Sequence, residues 1–150
     1  MGSQLSLFDA ENRAAAASNG VTGLLRAAMN RAAAESPYSR AQIVERMNRL
    51  ALASGKRMTS GKARGISLDQ LEKWLNPESD AVPGLQAVDV FMRAVGTAAP
   101  LGAWAVTLGL RVVTPKQFRT LQWAEDELSR KKKAKAHKRL EEELLQEVSS

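Results

Sequence analysis

Seven cations and one acid lie between Pro37 and Gly65: Arg40, Arg46, Arg49, Lys56, Arg57, Lys62 and Arg64 against Glu45. Their sum, 7 − 1 = +6, equals the net charge of the whole chain, so everything outside this stretch balances to zero. Cations concentrated in this way are suited to a polyanion, since contacts to a phosphate backbone supply affinity without reading sequence. Four of them, Lys56, Arg57, Lys62 and Arg64, sit in ASGKRMTSGKARG, whose glycines and single large apolar residue, Met58, predict a surface segment that contributes nothing to a core. Shortly after it come Ser67, Gln70, Lys73 and Asn76, which carry donors able to meet guanine or adenine edges. Asp69 and Glu72 stand among them and would repel phosphate unless directed at a cytosine amino group. Other chemistries have little to work with. There is no cysteine, hence no thiol nucleophile or disulfide, and the one histidine, His137, lies in a lysine run that would repel a metal. Glycine phosphate loops and recognisable carboxylate pairs are missing too, so neither an enzyme nor a cofactor is expected.

The elements that must position these residues are two short helices. Ser39 has the place of an N-cap with Gln42 completing a capping box, and Ile43, Val44, Met47 and Leu50 recur at helical spacing behind it. Ser67 caps the second helix with Gln70 at its third position; Leu71, Trp74 and Leu75 make the apolar stripe, and Asn76-Pro77 ends it. Two capped helices in a row, flanked by further helices, resemble the Cro/repressor-type (Xre-like) helix-turn-helix DNA-binding domain of phage regulators, over roughly residues 21 to 110. Here the turn is replaced by a long basic connection, Ala53 to Gly65. The resemblance implies that Ser67, Gln70, Lys73 and Asn76 contact bases, and that Arg40, Lys56, Arg57, Lys62 and Arg64 contact the DNA backbone. It also implies a homodimer, because such domains usually act as two copies.

Two further segments carry signals. At the N-terminus, QLSLF (Gln4, Leu5, Ser6, Leu7, Phe8) resembles the peptide by which bacterial polymerases and repair proteins bind the sliding clamp, with Gln4 in a polar subsite, Leu5 in a shallow pocket and Leu7-Phe8 in a deep apolar one. The same leucines and Phe8 could instead fold back as a strap on the core. At the other end, Thr114 caps a helix with Pro115 at its first position, and nothing breaks it through Val148. Its Arg130–Arg139 block includes Lys131, Lys132 and Lys133, expected to make a second backbone-contacting arm, or else to pair locally with the glutamates that follow.

Between these ends, alanine runs and an aromatic content of only 5% favour helix over sheet, so the fold expected is all-α: a compact domain of four to five helices. Val21, Leu24, Leu25, Ala28 and Met29 predict its first helix, after a break near Ser18-Asn19-Gly20; Leu85, Val88, Phe91, Met92 and Val95 predict another, closed by Gly96. PLGAWAVTLGL, from Pro100, reads as a buried final helix in which Trp104, like Trp74, fills core. The expected division is residues 1–20 as a flexible docking peptide and linker, 21–113 as the helix-turn-helix domain and 114–150 as a charged helix. No apolar run is long enough to span a bilayer and no secretion signal leads the chain, which points to the cytoplasm. The function these signals imply is a DNA-binding protein acting in transcription regulation or replication. The alternative is an adaptor or inhibitor that binds the sliding clamp through QLSLF without touching DNA.

Overall fold

In a computed structural model of the chain, which describes residues 7–150 and their side chains from residue 20 onward, every regular element is a helix among the described residues. Two compact units divide at Val112, the second spanning Val113–Ser150. The first holds α1 (Leu7–Glu35), α2 (Arg40–Ala53), α3 (Leu68–Leu75), α4 (Leu85–Val95) and α5 (Ala99–Thr107); the second is α6 (Pro115–Val148). α1 is broken at Gly20, whose φ of 67° and ψ of −164° are open to glycine alone, at the predicted Ser18-Asn19-Gly20 interruption.

Local signals set the helix boundaries. The Ser39 hydroxyl accepts from the Gln42 amide at 3.2 Å while the Gln42 side chain accepts from the Ser39 amide at 2.8 Å, a complete capping box at the start of α2. Ser67 does half as much for α3, accepting from the Gln70 amide at 3.1 Å. α4 closes at Gly96, left-handed at φ 78°, whose amide returns to the Met92 carbonyl at 2.8 Å.

The core is where α2 meets α3 and α4 against the end of α1. Met29, Ile43, Met47, Leu71 and Phe91 are wholly buried there, with Trp74, Leu75 and Val90 almost so. Burial of each such side chain stabilises the fold by roughly 1.5–3 kcal/mol before entropy is charged against it. The stripe of α2 differs from prediction by one position: Ala51, not Leu50, completes it, since Ile43, Met47 and Ala51 stack four apart and Leu50 is rotated out to solvent. For the same reason Val21 and Leu85, at the outer edges of their stripes, are exposed.

The expectation for α5 is overturned. Only Pro100 and Ala103 are buried, Ala103 in a small cluster with Leu24 and Ala28 of α1; Trp104 is 37% exposed, and Leu101, Leu108 and Leu110 are exposed as well. A helix docked through an alanine comes close to its neighbour along one narrow strip, so its larger side chains remain outside.

α1 also delivers a charge to the interior. Arg26, 5% exposed, donates through Nη1 to the carbonyls of Asn76, at 2.7 Å, and Ser79, and through Nη2 to that of Ala81 at 2.5 Å. Its Nε is buried without a partner, and the described residues place no carboxylate in ion-pair range of it. Three carbonyls of the loop between α3 and α4, one of them at the negative end of α3, take the place of a counter-ion.

α6 opens with a second complete capping box, Thr114 with Gln117, and has no buried residue. At about 3.6 residues per turn, the stripe of Phe118, Leu121 and Leu128 and that of Leu140, Leu144 and Val148 are centred about a third of a turn apart. No single seam runs along it, which agrees with the absence of sustained heptads. Among the described residues, no helix is long and apolar enough to cross a membrane.

Candidate nucleic-acid interface

The segment between α2 and α3 is pinned at both feet. α2 ends at Ser54; Gly55 follows in the left-handed conformation at φ 65°, and the Lys56 amide reaches back to the Ala51 carbonyl at 2.9 Å, closing the helix. At the other foot the Asn48 side chain imitates a backbone partner: its Nδ2 donates to the Ile66 carbonyl at 2.9 Å and its Oδ1 accepts from the Ile66 amide at 2.8 Å. Gly65 is needed for this latch, since a Cβ there would lie 2.6 Å from Asn48 Oδ1. Between the feet Met58, 5% exposed, drops into the core, and Ile66 joins it. The prediction that this connection contributes no core is corrected: Met58, the one large apolar residue of the run, is enough to tether it.

What the tethers leave outside is cationic. Arg57, Lys62 and Arg64 are exposed and have no partner among the described residues. Arg57 and Arg64 come from opposite ends of the connection and line one groove together with Lys56, Leu52 and Asn48. The remaining cations of the basic stretch divide by use. Arg46 is structural, its Nε donating to the Ala94 carbonyl at 2.8 Å with the guanidinium 4.1 Å from the Tyr38 ring centroid. Arg40, at the first position of α2, pairs with Glu72 of α3 and reaches Asn30 of α1 at 3.0 Å. Arg49, exposed and unpartnered among the described residues, is a free cation that the sequence-based candidates omit; its place opposite the Ile43-Met47-Ala51 stripe is the signal that would have found it.

Lys56 is held differently. Its Nζ lies 2.9 Å from Asp89 Oδ2 on α4, and Arg93, one turn on, approaches Asp89 Oδ1 at 3.0 Å. Hydrogen bonds from Arg93 first and Lys56 second hold the Asp89 carboxyl below its ordinary range against the opposing effect of burial, and Asp89 raises Arg93 in return.

α3 begins where this connection ends, and its polar residues Asp69, Glu72 and Lys73 line a separate groove with Asn30, Arg40 and Asn76. Leu71, Trp74 and Leu75 point inward, which turns Asp69 and Lys73 outward. The four predicted base-contacting residues are thus unequal. Lys73 is exposed but paired with Asp69 at 2.8 Å; Gln70 is half-buried on the flank; the Ser67 hydroxyl caps the helix; Asn76 Oδ1 accepts from the Glu78 amide at 3.0 Å. Of the predicted backbone contacts, Arg40, Lys56, Arg57, Lys62 and Arg64 belong to the first unit, and Lys131, Lys132 and Lys133 are exposed on α6 in the second. Gln4 and Leu5 of the QLSLF segment lie outside the described residues, as do the side chains of Leu7 and Phe8.

The arrangement can hold an extended polyanion along free cations on a tethered segment, which leads into a short capped helix offering donors and two carboxylates, Asp69 and Glu72. Among the described residues, no group of three or more histidines, aspartates or glutamates is placed to bind a metal. No protein-family model, curated protein or solved structure gives a match to this chain.

Proposed function

We propose that this chain is a double-stranded DNA-binding protein of the helix-turn-helix class, with α2 and α3 as its two motif helices and the 54–67 connection as an enlarged turn. It would act in the cytoplasm in transcription regulation or replication. The observation that carries this reading is the trio Arg57, Lys62 and Arg64, exposed and unpartnered among the described residues on a connection latched to Asn48 at its far foot and tethered to the core by Met58 between its feet. Cations on a tethered scaffold meet phosphates without the ordering cost of a free loop. α3 has the features a base-reading helix needs: a capped start, one buried stripe and an outward polar face.

The test is binding of the full chain to a random-sequence duplex at two salt concentrations, read by fluorescence anisotropy. The wild type should show a steep salt dependence. Replacing Arg57, Lys62 and Arg64 together by alanine should weaken every duplex alike and reduce the log–log salt slope by about 2–3, near one for each phosphate no longer neutralised. Salt-insensitive or absent binding by the wild type would discard the DNA reading and leave a protein partner, such as the sliding clamp, as the target.

A further inference from the structure

The outermost pair on α3 has the wrong net charge for phosphates. Asp69 and Lys73 stand one turn apart on the face opposite Leu71, Trp74 and Leu75, with side chains 74% and 55% exposed and Lys73 Nζ 2.8 Å from Asp69 Oδ2. Together they are neutral and add nothing to backbone attraction, which the connection's cations already provide. A carboxylate pushed toward a duplex without a partner would be desolvated beside phosphates, at a cost in affinity for every sequence.

Duplex chemistry offers few ways to satisfy it. An ionised carboxylate only accepts hydrogen bonds, so it needs a donor on a base edge. In the major groove these are the amino groups of cytosine (N4) and adenine (N6), but adenine sets its N7 acceptor beside N6 and suits an amide better; the guanine amino group lies in the minor groove, too narrow for a helix. Cytosine is therefore the base an aspartate selects. Its partner guanine presents only acceptors, N7 and O6, on the same groove floor, which is what an ammonium, a pure donor, requires.

We propose that Asp69 and Lys73 read one C·G base pair as a unit, the Asp69 carboxylate accepting from cytosine N4 and the Lys73 ammonium donating to guanine N7 and O6. In the free protein each side chain satisfies the other; on DNA each exchanges that contact for a base. This rests on the DNA-binding reading and makes it specific: affinity comes from the connection, and discrimination at one position comes from this pair.

The experiment is selection of bound duplexes from a randomised pool by the full-length protein, wild type beside Asp69→Ala, Lys73→Ala and the exchange D69K/K73D. Both side chains are exposed, and a thermal melt of each variant confirms folding. The wild type should enrich C·G at one position by about tenfold or more over the other pairs, and Asp69→Ala should abolish that preference while raising random-duplex affinity by about two- to fivefold, since it removes a negative charge and frees the Lys73 ammonium. The exchanged variant should invert the pair, selecting G where the wild type selects C. If wild-type enrichment shows no C·G position, or Asp69→Ala leaves the preference intact, the pair is only a surface ion pair and the inference falls, with DNA binding itself unaffected. A wild type that binds no duplex at all overturns both.

Discussion

α3 is entered and left through two segments of opposite design. The 54–67 connection before it carries Lys56, Arg57, Lys62 and Arg64 and no acid; the 76–84 loop after it carries Glu78 and Asp80 and no cation. The first is fastened by neutral groups, the Asn48 amide and the Met58 thioether, so most of its charge is left outside. The second is fastened by a charge taken inside, Arg26 donating to the carbonyls of Asn76, Ser79 and Ala81, so its own carboxylates face solvent. The two fastenings polarise the surroundings of α3: a positive edge at its N-terminus, where the free cations and the helix dipole add, and at its C-terminus two exposed carboxylates, Glu78 and Asp80, against the single buried charge of Arg26. A polyanion lying across such a helix is drawn to one end and repelled from the other, which orients it.

That contrast is broken most severely at Arg26. Arg26→Met keeps the stem and removes the guanidinium, leaving three carbonyls to find water in a space shaped for a fork. The expected loss is about 3 kcal/mol of unfolding free energy in denaturant titration, with Arg26→Lys intermediate because an ammonium cannot span the same acceptors. A loss below about 1 kcal/mol for Arg26→Met would mean that the loop is held by Pro83, its one buried residue, rather than by the buried charge.

The neutral fastening should be weaker and coupled. Gly65→Ala forces the Asn48 side chain off Ile66 and is expected to cost about 1–3 kcal/mol, and Asn48→Ala a similar amount. In the double variant the second change should add little, because the methyl then has room. Additive losses would show that Gly65 and Asn48 act independently, against the close approach an added Cβ would make.

Much of this was legible in the sequence, but only where the causes are local. The capping box at Ser39-Gln42, the Thr114 cap, the left-handed closure at Gly96 and the inward stripe Leu71-Trp74-Leu75 involve residues a few positions apart, and they formed as the pattern predicts. The fastenings were not legible. Asn48 meets Ile66 across 18 residues and Arg26 meets Ala81 across 55, and no periodicity encodes such pairs; Arg26 reads as one more exposed arginine on a helix. Trp104 went astray for a related reason: an apolar run signals burial, but Ala103 decides which side of α5 is covered. Within the candidate site, residue types alone could not separate the cations already engaged (Arg40, Arg46, Lys56) from those left without a partner (Arg49, Arg57, Lys62, Arg64), because the partners Glu72, Ala94 and Asp89 all lie on other helices.

The smallest effect expected is at the one place where the positive edge is restrained. Asp89 holds Lys56 on α4, and its carboxyl is lowered by Arg93 and Lys56, so its folded value lies below the ordinary 3.8. A lowered carboxylate stabilises the fold where it is ionised: the contribution is fully present above about pH 5 and is lost as pH falls through 3.8 toward the folded value. One third of the Asp89 side chain is exposed, so solvent screening keeps the term under about 1 kcal/mol. Asp89→Asn should therefore lower stability slightly at neutral pH and flatten the acid limb of a stability-against-pH curve between about pH 5 and 3. The same change frees the Lys56 ammonium and removes a negative charge beside the connection, so random-duplex affinity should rise by about two- to fivefold, an increase that shrinks as salt is added. Unchanged affinity with the stability effect intact would place Lys56 among the structural cations, with Arg46, and confine the phosphate-facing set to Arg57, Lys62, Arg64 and Arg49.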